Sequence, residues 1–196
     1  MAALGRTTLR THRCGELRAS DVGSPVTLGG WVHRRRDLGG LIFVDLRDRD
    51  GLAQVAFGPD TASPEVLQAA AGLTPETVVL VEGVVRRRPE GQANPEMPTG
   101  EVEVRASSLR VVGPAVVPAI PVARGKGEPM ANEDLRLRHR HLDLRRPELY
   151  RNLELRHRLL QRARAELSAM GFLEIETPIL TKPTPEGARD YLVPSR

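Results

Sequence analysis

The chain has 196 residues, a length that suits one complete domain and part of a second. Hydrophobic residues make up 40% of it and charged residues 28%, a globular composition that excludes a disordered tail, and its apolar runs are far shorter than the roughly 20 residues of a membrane span. The net charge of +4 gives weak support for a polyanionic partner, although the arginine-rich composition would also follow from a high-GC genome.

The N-terminal extension, residues 1–12, contains Arg6 and Arg10 and no acidic residue. This composition favours a loose bacterial extension, and a short mitochondrial presequence is the alternative. Cys14 is the sole cysteine of the sequence and therefore cannot form a disulfide within it. We expect Cys14 to be a small buried hydrophobic residue in a protein of the reducing cytoplasm.

Residues 13–113 show the pattern of a β-rich domain. Five segments rich in Val, Leu and Ile, separated by Gly, Pro and Asp, predict strands: Val26–Val32, Leu41–Arg47, Leu52–Phe57, Val78–Val85 and Glu101–Val112. Asp50 and Gly51 predict a short hairpin between the second and third strands. Pro64–Ala71 predicts a helix with proline in its first turn. Three strands, a short helix and two strands are the element order of an OB-fold, a five-stranded all-β barrel.

A linker or hinge is predicted between the barrel and the C-terminal part, at residues 114–146. Its first half is rich in proline and contains the sequence Gly-Lys-Gly. A helix is then predicted from Pro147 to just before Gly171, because proline favours helix starts and glycine favours helix ends. Apolar side chains recur along it at spacings of three, four and seven, which predicts a single apolar stripe.

A strand is predicted at Phe172–Thr177, ending at Pro178, and a loop is predicted over residues 181–196. One helix and one strand cannot form a domain, because their apolar faces remain uncovered. We therefore expect residues 147–196 to be the first helix and strand of an α+β domain, whose other elements lie outside this sequence or in another chain.

Alternation along the second strand decides which of its side chains point outwards. Ile42, Val44 and Leu46 share one face and can fill the barrel core, which leaves Phe43 among polar neighbours on the outer face. An exposed phenyl ring can stack on a base of a single-stranded nucleic acid, or a loop or second domain can cover it. The spacing leaves both interpretations open.

Polar side chains of other strands are predicted to join Phe43 on this surface. Gln54 and Glu103 lie opposite the apolar positions of their strands, so the amide and the carboxylate can meet the polar edges of bases. Arg34 and Arg36 share a face and can hold phosphates. A solvated strand end is an equally supported interpretation of these arginines.

Several segments, in order along the chain, resemble bacterial aspartyl-tRNA synthetases, which are class II aminoacyl-tRNA synthetases. Four pieces are similar to the anticodon-binding domain of that family: Gly30–Phe43, Arg47–Gly51, Gln54 and Thr99–Val104. Three later pieces are similar to its hinge, to the end of motif 1, and to the mobile active-site loop together with the residues after that loop: Leu142–Pro147, Glu174–Pro178 and Thr181–Arg196. The match covers about residues 13–196.

The resemblance implies roles for individual residues of the barrel. Phe43 would stack on the middle uridine of the anticodon, Gln54 would read the third anticodon base, and Glu103 would contact anticodon bases. Three basic residues would belong to the same tRNA-binding surface: Arg34, Arg36 and Arg88.

Other implied roles concern the catalytic half. Glu186 would contact the amino group of bound aspartate when its loop closes as a lid. Pro178 and the helix before it would form a homodimer interface, and simple core packing of the helix is the alternative. Motifs 2 and 3, which carry ATP and Mg²⁺ in this family, do not occur in the sequence. No catalytic residue and no metal site is therefore predicted in this segment, and it is predicted to be inactive alone.

Three positions depart from the family pattern. His139 and His141 stand where relatives usually carry tyrosines in the hinge, and a histidine can still stack or donate a hydrogen bond there. Ala56 stands where some bacterial relatives have an aromatic residue beside the anticodon. We expect weaker base stacking at that position.

These expectations combine into the anticodon-recognising part of an aspartate–tRNA ligase, with tRNA(Asp) as its partner and no membrane association. The full enzyme would activate aspartate with ATP and transfer it to tRNA. The alternatives are a freestanding tRNA-binding module without catalysis, and a sister class II ligase for asparagine or lysine. The segment Thr184–Asp190 favours the aspartate ligase, because its resemblance is to that family and a binding module needs no substrate lid.

Overall fold

The computed structural model describes residues 9–125, 127–180 and 193–194. The chain divides into two compact units, Met1–Pro147 and Glu148–Arg196. The first unit contains a closed β-barrel and the segment that follows it, and the second contains most of one long helix. Within the described ranges, no helix combines the length and the apolar composition that crossing a membrane requires.

The barrel consists of five strands and one helix in the predicted order. These elements are β1 (Pro25–Asp37), β2 (Ile42–Arg47), β3 (Leu52–Phe57), α1 (Pro64–Ala71), β4 (Val78–Arg87) and β5 (Val102–Gly113). Around the barrel the strands follow the order β1-β2-β3-β5-β4, and β4 closes the sheet against β1. Only the β3–β5 ladder is parallel among these pairs. The predicted OB-fold is confirmed, and β3 and α1 have the predicted bounds.

Glycine-containing turns set the registers of the first two hairpins. Gly39 and Gly40, between β1 and β2, have φ values of 68° and 93°, which favour glycine because a Cβ is strained there. Between β2 and β3, the Asp48 carboxylate accepts hydrogen bonds from the backbone N–H groups of Asp50 and Gly51, at 2.8 and 3.1 Å. The predicted Asp50-Gly51 hairpin is therefore present, and the side chain of Asp48, the first residue of the turn, stabilises it.

Alternating apolar side chains fill the barrel. Val44 of β2, Val55 of β3 and Val104 of β5 are each at most 1% exposed. Cys14 is also fully buried, as predicted, and burial raises the pKa of its thiol well above the usual value. Helix α1 is capped by Ser63, whose hydroxyl accepts from the N–H of Val66 at 3.4 Å, and it packs against the core through Ala70, Val66 and Leu67.

The segment after the barrel contains structure that the sequence analysis did not predict. Two short helices, α2 (Glu133–Arg138) and α3 (Arg140–Asp143), lie within the expected linker. Asp143 is fully buried, and its carboxylate pairs with three guanidinium groups: those of Arg136 at 3.1 Å, Arg140 at 2.7 Å and Arg146 at 3.2 Å. Burial alone would raise the pKa of the Asp143 carboxyl, but these arginines outweigh burial and lower it.

Helix α4 (Pro147–Ala169) begins at the predicted proline and ends beside the predicted glycine. Gly171 has a φ of 88°, its N–H donates to the carbonyl of Ser168, and the N–H of Phe172 donates to the carbonyl of Leu167, both at 3.0 Å. This pair of hydrogen bonds is a Schellman motif, which satisfies carbonyls that the helix end leaves free.

The strand predicted at Phe172–Thr177 is absent: the structure has no regular secondary structure from residue 172 to residue 178. That prediction was wrong because a strand needs a neighbouring strand to pair its backbone groups. No strand among the described residues pairs with this segment. The apolar residues of this segment give it a strand-like hydropathy pattern, but the pattern alone does not provide a partner strand.

Candidate nucleic-acid interface

Two rows of outward-facing side chains run across the strands of the barrel. The Phe43 row consists of residues that are Cα partners on adjacent strands: Arg36, Phe43, Ala56, Arg105 and Val84. The Gln54 row runs beside it and consists of Arg34, Asp45, Gln54, Glu103 and Arg86. Directly opposed residues point to the same face, so the two rows form one continuous outer surface.

A β-bulge decides which arginines of β1 belong to this surface. The register between β1 and β2 shifts between Val32 and Arg34, so His33 is an extra residue in the ladder. Arg34 consequently lies opposite Asp45, and Arg36 lies opposite Phe43. Without the bulge, strand alternation would turn the next residue in the run, Arg35, to the outside instead.

Phe43 lies on the outer face and is partly exposed. The guanidinium carbon of Arg36 is 6.0 Å from the centroid of its ring, within the range of a cation–π contact. Arg36 also donates to the carboxylate of Asp45 at 2.9 Å and to the amide oxygen of Gln54 at 3.3 Å. The predicted outward orientation of Phe43 and its proximity to Gln54 are therefore present in the structure.

Gln54 and Glu103 are joined side by side and are nearly buried, at 8% and 6% exposed. The amide nitrogen of Gln54 donates to the Glu103 carboxylate at 2.9 Å, and the other Glu103 oxygen is 3.2 Å from Nε of Arg105. These contacts fix the orientation of the amide. Gln54 retains one N–H and one oxygen lone pair, so a contact with a base can add to the network rather than replace it.

Arg88 lies at the base of the same surface, with 9% of its area exposed. Its Nε donates to the carbonyl of Val102 at 3.0 Å, while Nη2 is buried and makes no hydrogen bond to the described part of the chain. Burial lowers the pKa of the guanidinium, and the negative charges of Glu103 and Asp45 act in the opposite direction. Arg88 thus places a positive charge behind two carboxylates of the Gln54 row.

The structure brings together the barrel residues that the sequence analysis selected, and leaves the others apart. Six of them lie on or directly beneath the two rows: Arg34, Arg36, Phe43, Gln54, Arg88 and Glu103. Pro178 belongs to the segment without regular structure. Glu186 lies outside the described residues, so its implied contact with aspartate stays a prediction.

A second cluster, which the sequence analysis missed, surrounds Trp31. The guanidinium carbons of Arg47 and Arg145 lie 5.9 and 5.5 Å from the centroid of the indole ring. Both arginines also pair with the carboxylate of Glu76, at 2.8 and 2.7 Å. Arg47 lies 2.9 Å from Nδ1 of His33, the bulge residue. The residues of this cluster are up to 69 positions apart, so their spacing in the sequence does not indicate that they meet. The one signal in the sequence is its sole tryptophan, which lies close to a run of arginines.

The environment of His33 keeps its ring neutral. Burial and the charge of Arg47 lower its pKa to about 4, and the carboxylate of Glu76 offsets only part of this effect. A neutral ring can accept the hydrogen bond that Arg47 offers, which an imidazolium could not. Among the described residues, no group of three or more His, Cys, Asp or Glu side chains could hold a metal ion.

Comparisons with known proteins match both parts of the chain. The family described as "OB-fold nucleic acid binding domain" matches residues 26–112, and "tRNA synthetases class II (D, K and N)" matches residues 132–196. The aspartate–tRNA(Asp/Asn) ligase of Rubrobacter xylanophilus is 58% identical over 187 residues, which are 95% of this chain and 30% of that protein. The corresponding ligase of Moorella thermoacetica is 56% identical over the same shares. The chain belongs to the class II aspartyl-tRNA synthetase family. It spans about 30% of the length of these relatives and matches their N-terminal portion.

Solved structures agree with this fold. The asparaginyl-tRNA synthetase from Pyrococcus horikoshii superposes with a TM-score of 0.74 at 29% identity, covering 88% of this chain and 39% of that one. The aspartyl-tRNA synthetase from Entamoeba histolytica gives a TM-score of 0.79 at 22% identity, covering 92% and 42%, and supports the fold alone. The predicted barrel followed by the first part of a class II catalytic domain is confirmed.

Proposed function

We propose that the outer surface of the barrel recognises the anticodon of tRNA(Asp), as part of an aspartate–tRNA ligase. The observation that carries this proposal is the arrangement of Phe43 beside the hydrogen-bonded pair of Gln54 and Glu103 on one face. An aromatic ring beside groups with fixed donors and acceptors suits unpaired bases, whose faces stack and whose edges form hydrogen bonds.

Each part of the surface has a distinct task in this proposal. Phe43 stacks on the middle base, while the remaining amide N–H and oxygen lone pair of Gln54 meet the edge of the third base. Glu103 accepts from a base N–H group. Arg34, which is exposed on the same face, and Arg36 attract the phosphates that link these nucleotides.

The activity of the whole enzyme is also a proposal. It would form aspartyl-adenylate from aspartate and ATP with Mg²⁺ and transfer aspartate to tRNA in the cytoplasm, with Glu186 contacting the amino group of aspartate. The names of the curated relatives and the class II family match over residues 132–196 support this reaction. The 196-residue chain is expected to be inactive alone, because motifs 2 and 3, which carry ATP and Mg²⁺ in this family, do not occur in its sequence.

A homodimer through α4 and Pro178 is proposed for the full enzyme. The helix has an exposed apolar stripe that includes Leu153, Leu160 and Leu167, and such a stripe suits an isologous interface. The alternative, that other elements of the same chain pack on it, makes the stripe part of a core. Sedimentation of the full-length enzyme with Leu160→Glu distinguishes them: a folded monomer supports the interface, and loss of folding supports the core.

A titration of the 196-residue chain with tRNA(Asp) tests anticodon recognition. We expect binding whose affinity falls as salt rises, because arginine–phosphate contacts release counterions. The control is the same tRNA with all three anticodon bases changed, which should bind much more weakly at the same salt concentration. Equal affinity for the two RNAs would mean that the barrel does not read the anticodon.

A further inference from the structure

The Phe43 row continues beyond Phe43 to a second planar side chain. Ala56 lies opposite Phe43 on β3, and Arg105 lies opposite Ala56 on β5. Neighbouring strands are spaced by about 4.8 Å, and β3 lies between β2 and β5. The backbones of Phe43 and Arg105 are therefore roughly 10 Å apart. Alanine is too small to form a barrier between them, and it is fully buried.

Two carboxylates form ion pairs with the guanidinium of Arg105. Its Nε is 3.2 Å from Glu103 and its Nη1 is 4.0 Å from Asp60, and 31% of the side chain is exposed. A guanidinium is planar, so a base can stack on its face while the ion pairs persist. The two carboxylates also offset its charge, so the site favours a neutral base over a phosphate.

A surface groove lies directly beside Arg105. It has a volume of about 480 Å³, within the range of small-molecule sites, and its lining includes Thr61, Val84, Arg86, Pro89 and both partners of Arg105. Val84 is the Cα partner of Arg105, and Arg86 is the Cα partner of Glu103. The groove is therefore continuous with both rows of the proposed tRNA surface.

We propose that Arg105 and this groove bind the base of a nucleotide next to the one on Phe43, and that the guanidinium plane of Arg105 stacks on that base. This subsite rests on the proposed recognition of an RNA loop by the barrel. Arg105 is a second platform in the same row: Phe43 supplies an aromatic face and Arg105 a cationic one. Glu103 holds both Gln54 and Arg105, so it aligns the reading edge with the second platform.

Binding of RNA stem-loops to the 196-residue chain tests this subsite. The probes are a stem-loop with the anticodon GUC and two derivatives, each abasic at one neighbour of the middle nucleotide. Arg105→Ala should weaken binding of the intact stem-loop about 5- to 100-fold, the effect of losing one stacked base. Arg105→Lys, which keeps the charge but loses the plane, should lose a similar amount.

The matched control is Arg110→Ala. Arg110 lies on the same strand, is exposed and carries the same charge, but it lies outside both rows. It should change affinity by less than about threefold, through long-range charge alone. Circular dichroism and thermal melting of each variant establish that the barrel remains folded, and Arg105→Lys decides the question if Arg105→Ala does not fold.

The abasic probes give the decisive comparison. With one of them, Arg105→Ala should cause no further loss, because its stacking partner is already missing. The subsite is overturned if Arg105→Ala behaves like Arg110→Ala, if Arg105→Lys binds like the parent chain, or if Arg105→Ala loses the same amount with all three probes. If the parent chain instead binds the GUC stem-loop no better than an unrelated loop, the proposed function itself fails.

Discussion

The barrel and helix α4 differ in how far apart in sequence their stabilising contacts lie. In the barrel, Val55 of β3 lies opposite Val104 of β5, and both are completely buried. In α4, the stabilising features are local: proline at the start, a Schellman motif at the end, and pairs such as Arg162 with Glu166 at 2.9 Å. Its leucines at 153, 160 and 167 are 43–50% exposed. A fold that depends on distant partners should respond to core substitutions, whereas a locally determined helix should not.

A matched pair of leucine substitutions tests this contrast and should give the largest effect. Leu46→Ala removes a side chain that is fully buried in the barrel and should lower the free energy of unfolding by about 4 kcal/mol. Leu160→Ala, at 43% exposed, should change it by less than about 0.5 kcal/mol. Urea denaturation followed through Trp31 fluorescence measures both. Equal effects would mean that α4 takes part in the same cooperative unit as the barrel.

The same contrast explains which elements could be predicted from the sequence. Helix α1 and helix α4 carry their own start and stop signals, and β2 carries an alternation that places Phe43 outside, so all three were predicted. The strand at Phe172–Thr177 was wrong because its existence depends on partners that the pattern does not contain. The helices α2 and α3 were missed because a proline-rich composition in the first half of the linker obscured them.

Within the candidate site, residue types were predictable but their connections were not. Alternation placed Gln54 and Glu103 outside, yet only the structure shows that they bind each other and are nearly buried. The bulge at His33 turns Arg34 and Arg36 outwards, and a two-residue period cannot reveal such a shift. The groove beside Arg105 was missed for a similar reason, since its walls come from β4, β5 and the loop before α1.

The buried carboxylate of Asp143 extends the comparison to the hinge. Asp143→Asn removes the charge that three arginines surround, and it should destabilise the first unit by about 3 kcal/mol at pH 7. Because the native pKa is lowered, the stability from this charge is present at neutral pH and is lost as the pH falls below about 4, the unfolded value. The variant should therefore show a smaller loss on acidification. Unchanged stability at pH 7 would mean that the hinge melts independently of the barrel.

Phenylalanine substitutions compare the two regions in function. Phe43→Ala should weaken binding of tRNA(Asp) by about 1–3 kcal/mol, because it removes a stacking face from the barrel surface. The control is Phe172→Ala, which removes the same side chain from an exposed position after α4 and should leave binding unchanged. Filter binding at one stated salt concentration measures both. A loss that is equal for the two variants would remove the case for a specific stacking role of Phe43.

The smallest predicted effect concerns the pH dependence of stability through His33. Its native pKa is about 4, whereas an unfolded histidine has about 6.5, so between these values the unfolded chain binds a proton that the native chain does not. Stability should therefore be fully present above pH 6.5 and fall as the pH drops towards 4, by about 1–2 kcal/mol after allowance for partial exposure. Protonation would place a charge beside Arg47 and Arg34 and disturb the bulge that orients the arginines of β1.

His33→Gln should flatten the stability profile between pH 6.5 and pH 4, and His157→Gln, on the exposed surface of α4, should not. Urea midpoints at pH 7, 5.5 and 4.5 test this directly, and identical slopes in the parent chain and His33→Gln would show that the bulge does not depend on a neutral imidazole.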